Sequence, residues 1–407
     1  MPRIRGNTIF TRRTPLTCAA RARRRASFTM RTENSNGNES LWRWDELQRR
    51  REIPVGAAGG RASLKVRRDA GGATLHEIEL HNGALTFTVL PERGLDIGEI
   101  VLDGEKMSWE RGDSCLLHPD RVDLTAGGGT GWLQGFYAAV ASIGPELFGT
   151  PGEGYTLHGT GSYSPADLRS IAVWADEEGL TFEGSVSVVG YGERPQFGKR
   201  VRLFTRWGSE CLLREETTTN LSDRALTLDD GYHVQLCGPF LHEGGRYVLP
   251  VSSEAMLLRD NAPPEEDPLR IPPISEGLSP IRCYQYVPEA VRGLEERAEL
   301  RDYVEAMPQR AGFAAEMVVN ASGDAAGYVI RPLSAFPRSL IAKEISEYGF
   351  MFALEPCRTR PNRMSQKHTD GEAFILPPGG SDTTQCLIGV TQDRSLIGDL
   401  EKKIHRG

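Results

Sequence analysis

Three stretches of this chain carry side chains suited to moving protons near neutral pH. The first is Tyr155-Thr156-Leu157-His158-Gly159-Thr160-Gly161-Ser162-Tyr163-Ser164-Pro165-Ala166. Its histidine lies among glycines that let the backbone come close to a bound molecule, with hydroxyls on both sides. The second, Tyr232-His233-Val234-Gln235, reads as the inner part of a strand. The third, Ala353-Leu354-Glu355-Pro356, delivers a carboxylate at the end of an apolar run. Two imidazoles and one carboxylate make an acid–base set. Each also has a plainer reading: His158 as a surface group, His233 as a hydrogen-bonded core histidine. A buried carboxylate without a partner is costly, so Glu355 needs either a catalytic role or an ion pair, for which Lys343 and Arg358 are the candidates.

The elements that must position these groups are strands. Alternating or β-rich runs occur at 74–81, 84–90, 97–102, 168–175, 180–190, 200–205, 211–219 and 232–236, with further runs to residue 391. Turn-forming separators such as His81-Asn82-Gly83, Asp103-Gly104 and Ser322-Gly323-Asp324 punctuate them. More than a dozen short strands with little helical period predict an all-β sandwich in one domain over 39–407. Residues 41–52 predict a short amphipathic helix with Trp44 and Leu47 on one face. Residues 289–300 fit a helix or a loop, followed by a strand at Leu300–Glu305. The Pro-rich stretch 261–280 is expected to run over the surface or along the rim of a site.

Charge is unevenly placed. Residues 1–31 hold nine arginines and no acid, so against a net of −7 for the whole chain the remainder carries −16. An acidic body argues against nucleic acid as a partner. The basic head, 1–38, is expected to be disordered, either as a transit peptide or as an extension upstream of a start at Met30. No run reaches the roughly 18 apolar residues of a membrane helix, so a soluble, cytoplasmic protein without a membrane partner is expected. The seven cysteines are scattered without metal-type spacing, which suits reduced, buried thiols.

Other motifs are quickly weighed. His76-Glu77-Ile78-Glu79-Leu80-His81 has one residue too many for a zinc signature and sits in a strand-like run, where its histidines face opposite sides. Gly127-Gly128-Gly129-Thr130-Gly131 lacks the lysine and helix of a phosphate cradle and is expected to form a rim beside Trp132. Arg93 and Asp96 share a charged turn, which reads either as a solvated hairpin or as part of the site. Neither a metal nor a cofactor is expected.

Taken in order, Arg93-Gly94-Leu95-Asp96, Leu157-His158-Gly159 with Pro165-Ala166, Tyr232-His233, and Lys343 followed by Leu354-Glu355-Pro356-Cys357 resemble the galactose mutarotase-like superfamily. Within it, the chain is most similar to the aldose 1-epimerase-like branch of the domain-of-unknown-function 4432 family, over roughly residues 55 to 392. The resemblance implies a large twisted β-sandwich with a sugar cleft on one face. It implies Glu355 as general base, His233 as general acid, and His158 as a ligand to a substrate oxygen. Arg93, Asp96, Gln235 and Lys343 join it as substrate-binding candidates. The strand Gly231-Tyr232-His233-Val234-Gln235-Leu236 departs from the Asn-His-(Ser/Thr)-Tyr-Phe-Asn strand of true galactose mutarotases, so their hexose specificity does not transfer.

Interconverting the anomers of a cyclic aldose needs a proton removed from the anomeric hydroxyl and another given to the ring oxygen. A carboxylate and an imidazole, unperturbed near about 4.3 and 6.5 and brought together by burial, can exchange these roles. Trp132, Phe136 or Tyr137 could stack on a sugar face. The expected partner is therefore a small-molecule sugar. Two rivals are a carbohydrate-binding protein without turnover and a hexose-phosphate epimerase that uses Arg200, Arg202 and Arg206 as phosphate ligands.

Overall fold

The structure, a computed structural model, describes residues 41–56, 59–111, 116–189, 195–260, 266–277, 279–346 and 349–406. The basic head lies outside these residues, and 39–407 form one compact unit. Two large sheets dominate. A nine-stranded sheet runs, edge to edge, Trp42–Arg43, Ala166–Ala175, Gly179–Val189, Pro195–Arg206, Cys211–Asn220, Ser381–Thr391, Ala326–Pro332, Phe313–Val319, Arg246–Val248. A twelve-stranded sheet contains the adjacent strands Leu257–Asp260, Arg282–Tyr286, Arg338–Glu344, Met351–Cys357, Gly231–Val234 and Val140–Ile143, and continues through Asp96–Leu102 to Glu52–Pro54.

Alternation along each strand decides which face a side chain takes. On Ser381–Thr391, Ile388 and Val390 join a core that draws on both sheets, from Ile78, Phe87, Ile97 and Val140 to Ile171, Phe182 and Val201. Leu387, of the opposite parity, turns to the outer face, where it packs with Tyr328, Ile330, Phe313 and two helices. Those helices, Ala298–Ala306 and Arg394–Ile404, bury Leu300, Tyr303 and Val304 and Leu396, Ile397, Leu400 and Ile404. The sandwich is thus two sheets with helices laid on one outer face.

The expected strand at Leu300–Glu305 is instead part of a helix. Leu300, Tyr303 and Val304 recur at helical spacing, and one packed face outweighs the local β propensity of Tyr and Val. The helix over Trp44–Arg50 buries Trp44 and Leu47 as the sequence suggests. Strands at Arg61–Arg68, Val140–Ile143 and Arg282–Tyr286 go beyond the runs picked out from sequence, because charge or small residues blur their alternation. Of the described cysteines, Cys211, Cys237, Cys357 and Cys386 are buried free thiols. No helix among the described residues is long and apolar enough to cross a membrane.

Candidate active site

His233 and Glu355 are brought together by strand pairing. Gly231–Val234 pairs antiparallel with Met351–Cys357 through Gly231↔Cys357 and Val234↔Leu354, which sets His233 opposite Glu355. On its other side Glu355 pairs with Leu340. Parity then gives the same face to Leu340, Ala342, Glu344, Met351, Glu355 and His233, and these residues line a cleft of about 580 Å³. The neighbours of opposite parity, Ile341, Leu354 and Val234, enter the core between the sheets. Nε2 of His233 lies 3.5 Å from Oε1 of Glu355, with both side chains buried.

The third group comes from a loop. His158 adopts a left-handed backbone with φ of 59° and is followed by Gly159 at 67°. A Cβ at Gly159 would stand 2.7 Å from the Glu146 carboxylate, so the close approach requires glycine. Glu146 ties the loop down by accepting from the Thr160 amide at 3.1 Å and its hydroxyl at 2.5 Å. The His158 carbonyl accepts from Gly144 N at 2.8 Å, and Leu157 N donates to Gly129 O at 2.7 Å, so the glycine-dense segment before Trp132 anchors this loop. The His158 ring packs edge-on to Trp132 at 4.8 Å and to His233 at 6.1 Å. Nδ1 of His158 is buried without a hydrogen-bond partner.

Burial sets the protonation of the trio. It pushes the Glu355 carboxyl up to about 8, opposed by the positive charge of Arg259. His233 is held well below its ordinary 6.5 by burial and by the neighbouring His158. Burial, with Lys367 and Arg259 adding to it, brings His158 down to about 3. Near neutral pH both imidazoles are therefore uncharged, and the Glu355–His233 pair holds one proton, which rests on the carboxyl.

Gln235 stands behind this pair. It is fully buried, and its side-chain amide nitrogen contacts Nδ1 of His233 while its Oε1 has no partner. It is not a wall of the cleft, so it touches the imidazole where contact with sugar was expected. With the amide turned over, Oε1 accepts Nδ1–H of His233, and that tautomer directs the bare Nε2 at Glu355.

Three further expected ligands lie elsewhere. Arg93 is buried, donates from Nε to Ser162 O at 3.0 Å and from Nη1 to Gly135 O at 2.7 Å, and covers the Tyr163 ring at 4.1 Å. Asp96 accepts from Ser142 N at 2.8 Å and from the Ser162 hydroxyl. The Arg93–Asp96 turn therefore clamps the end of the His158 loop rather than meeting a ligand. Lys343 has the parity opposite to Ala342 and Glu344 and points away from the cleft. Its Nζ reaches Glu266 at 3.3 Å and the carbonyls of Asp267 and Arg270 at 3.1 and 2.8 Å. Arg358 is engaged by Asp230 and Asp382, each at 2.6 Å, so neither candidate ion-pair partner meets Glu355.

The aromatic candidates divide similarly. Phe136 lines the cleft and stacks on Trp109, a residue the sequence reading passed over, at 5.1 Å and 25°. Trp132 is buried behind Phe136, and Tyr137 belongs to a separate cluster with Leu75, Leu90 and Leu116. Arg200, Arg202 and Arg206 lie on Pro195–Arg206 of the nine-stranded sheet, away from the cleft walls. The cleft's own arginines are Arg111 and Arg259. His76 and His81 go separate ways, to Glu92 and Thr86. Among the described residues no group of three His, Cys, Asp or Glu side chains is placed to hold a metal ion.

Comparison with known proteins follows this architecture. A candidate aldose 1-epimerase from Klebsiella pneumoniae superposes with a TM-score of 0.72 at 20% identity, over 90% of this chain and 91% of that one. A galactose mutarotase-like protein from Clostridium acetobutylicum gives 0.52 at 13% identity, over 82% and 99%. At these identities the likeness establishes the galactose mutarotase-like fold. No curated protein matches the sequence. Residues 72–390, which include His158, His233 and Glu355, match the family described as "Domain of unknown function (DUF4432)", and the chain belongs to that family.

Proposed function

We propose that the protein interconverts the anomers of a cyclic aldose by acid–base ring opening. The observation that carries this reading is the His233–Glu355 pair, 3.5 Å apart on one wall of a cleft whose other walls include His158 and the Trp109–Phe136 stack. The cleft volume suits a small ligand, and its mixture of apolar wall and a few convergent polar groups suits a sugar.

The pair begins with its proton on Glu355. Sugar hydroxyls entering the cleft solvate the carboxylate and favour transfer of that proton to His233, which gives a base and an acid side by side. Glu355 takes the proton of the anomeric hydroxyl, the bond from C1 to the ring oxygen breaks, and His233 protonates that oxygen. The product is the open-chain aldehyde with Glu355 protonated and His233 neutral. Rotation about C1–C2 presents the other face of the carbonyl. Ring closure then returns a proton from Glu355 to the carbonyl oxygen while His233 recovers the one it gave. Atoms and charge balance without an external reactant. His158, uncharged, hydrogen-bonds a sugar hydroxyl and fixes the ring's orientation.

The test is anomer exchange followed by NMR on a panel of free aldoses, with and without the protein. Acceleration above the buffer rate for at least one sugar supports the reading; binding without acceleration on every sugar bound would replace it with a carbohydrate-binding role.

A further inference from the structure

Arg259 is a charged group of the cleft wall that anomer exchange does not use. It sits on Leu257–Asp260, which pairs with Arg282–Tyr286 through Leu258↔Tyr284 and then Asp260↔Cys283, so Arg259 is the extra residue of a β-bulge. A bulge bends its strand and re-aims the side chain it carries, and here the half-buried guanidinium becomes part of the cleft wall. Its orientation is fixed. Nη1 donates to Pro361 O at 2.7 Å and Nη2 to the Thr150 hydroxyl at 3.2 Å, and both of those residues also line the cleft.

Both partners are neutral acceptors, which hold the group without cancelling its charge. The cleft's carboxylates are Glu344 and Glu355, and among the described residues no carboxylate forms an ion pair with Arg259. Of the five guanidinium N–H groups, three remain to meet a ligand. A planar fork of this kind matches an oxyanion better than any neutral hydroxyl. The effect of its charge on both Glu355 and His158 places it within electrostatic reach of the proposed chemistry.

Its distance from the acid–base pair is equally informative. The strands of Arg259 and Glu355 are separated by Arg282–Tyr286 and Arg338–Glu344. Three strand spacings put their backbones about 14 Å apart. A hexose fits between them with its anomeric carbon at Glu355 and its opposite end toward the arginine.

We propose that the sugar taken by this cleft carries an anionic group, a carboxylate or a phosphate, at the end remote from its anomeric carbon, and that Arg259 binds it. The proposal rests on the sugar-anomer reading for the identity of the ligand, but its test is separable. Affinities of the full-length protein for glucose, glucuronate and glucose 6-phosphate are measured by ligand-observed NMR titration, alongside anomer exchange on the same samples. The expected result is at least about tenfold tighter binding of one anionic sugar than of glucose, lost in Arg259→Gln and largely kept in Arg259→Lys. The two anionic sugars distinguish a carboxylate from a phosphate. Equal affinity for all three, binding of none, or an anionic preference that survives Arg259→Gln would overturn the proposal. Anionic preference without accelerated exchange would leave it standing and sink the mutarotase reading instead. Circular dichroism of each variant separates loss of binding from loss of fold.

Discussion

The strand register that places His233 opposite Glu355 leaves Nε2 and Oε1 3.5 Å apart, side by side on one wall of the cleft. If Glu355 is the base, Glu355→Gln keeps the size and most hydrogen bonding but cannot accept the proton. Turnover should fall by roughly 10²–10⁴-fold with little change in sugar affinity. His233→Asn should show a loss of similar order, and the double variant should lose little more than the worse single one, because both act in one transfer. A fully active Glu355→Gln enzyme would remove the assignment.

The same variant reports on burial. The carboxyl holds its proton to about 8 when folded, against 4.5 in the unfolded chain. Between those values the unfolded state carries fewer protons, so the contribution of Glu355 to stability falls as pH rises and levels off above about 8. Glu355→Gln does not titrate. Its melting temperature should therefore gain on the wild type between pH 5 and pH 8. A difference that stayed constant with pH would contradict the raised carboxyl.

Catalysis should follow the proton count of the pair. Activity needs one proton shared by Glu355 and His233, so kcat/KM should be flat around neutrality and fall above about pH 8, where Glu355 loses its proton. The acid limb should lie well below 6.5, because burial and His158 oppose a second proton on the pair. An alkaline limb missing from the pH–rate profile, or an acid limb near 6.5, would show the pair to be less buried than the structure has it.

Gln235 should act on the profile rather than on affinity. Its amide is the partner of His233 Nδ1. Gln235→Glu places a carboxylate there, favours the imidazolium, and should move the acid limb toward neutral pH. Gln235→Leu removes the acceptor and should lower kcat by about tenfold or more with KM nearly unchanged. A purely structural glutamine would alter melting temperature in both variants and leave the pH profile in place.

Much of this site was legible because the informative residues break their local context. His158 interrupts a glycine-rich loop, His233 an apolar strand, and Glu355 ends a run of Phe, Ala and Leu. The sheet parity that unites the last two follows from antiparallel pairing once the partner strand is known. Pairing between strands more than a hundred residues apart leaves no local trace, and neither does the bulge that aims Arg259 into the cleft. The Arg93–Asp96 turn misled for a related reason: a charged turn reads the same whether its arginine meets a ligand or two buried carbonyls. Lys343 and its neighbours Ala342 and Glu344 differ only in parity, and the short apolar run around them does not fix which parity faces out. The two helices over the nine-stranded sheet are short, and their apolar faces compete with β-favouring residues such as Tyr303 and Val304.

The Arg93 clamp gives the last prediction. The side chain is buried, with two carbonyls and the Tyr163 ring as partners, and those carbonyls belong to the turns that carry the His158 loop and Trp132. Arg93→Met preserves much of the apolar stem and strands both carbonyls, at a cost on the order of 2–4 kcal/mol. Because the guanidinium does not reach the cleft, the folded fraction should bind sugar through an intact Glu355–His233 wall. Its affinity should change only as far as the His158 loop loosens, and added salt should not alter the difference from wild type. The measurement is denaturant unfolding together with sugar titration at two ionic strengths. A fully stable Arg93→Met protein that had lost sugar binding would return Arg93 to the ligand and show the clamp to be misassigned.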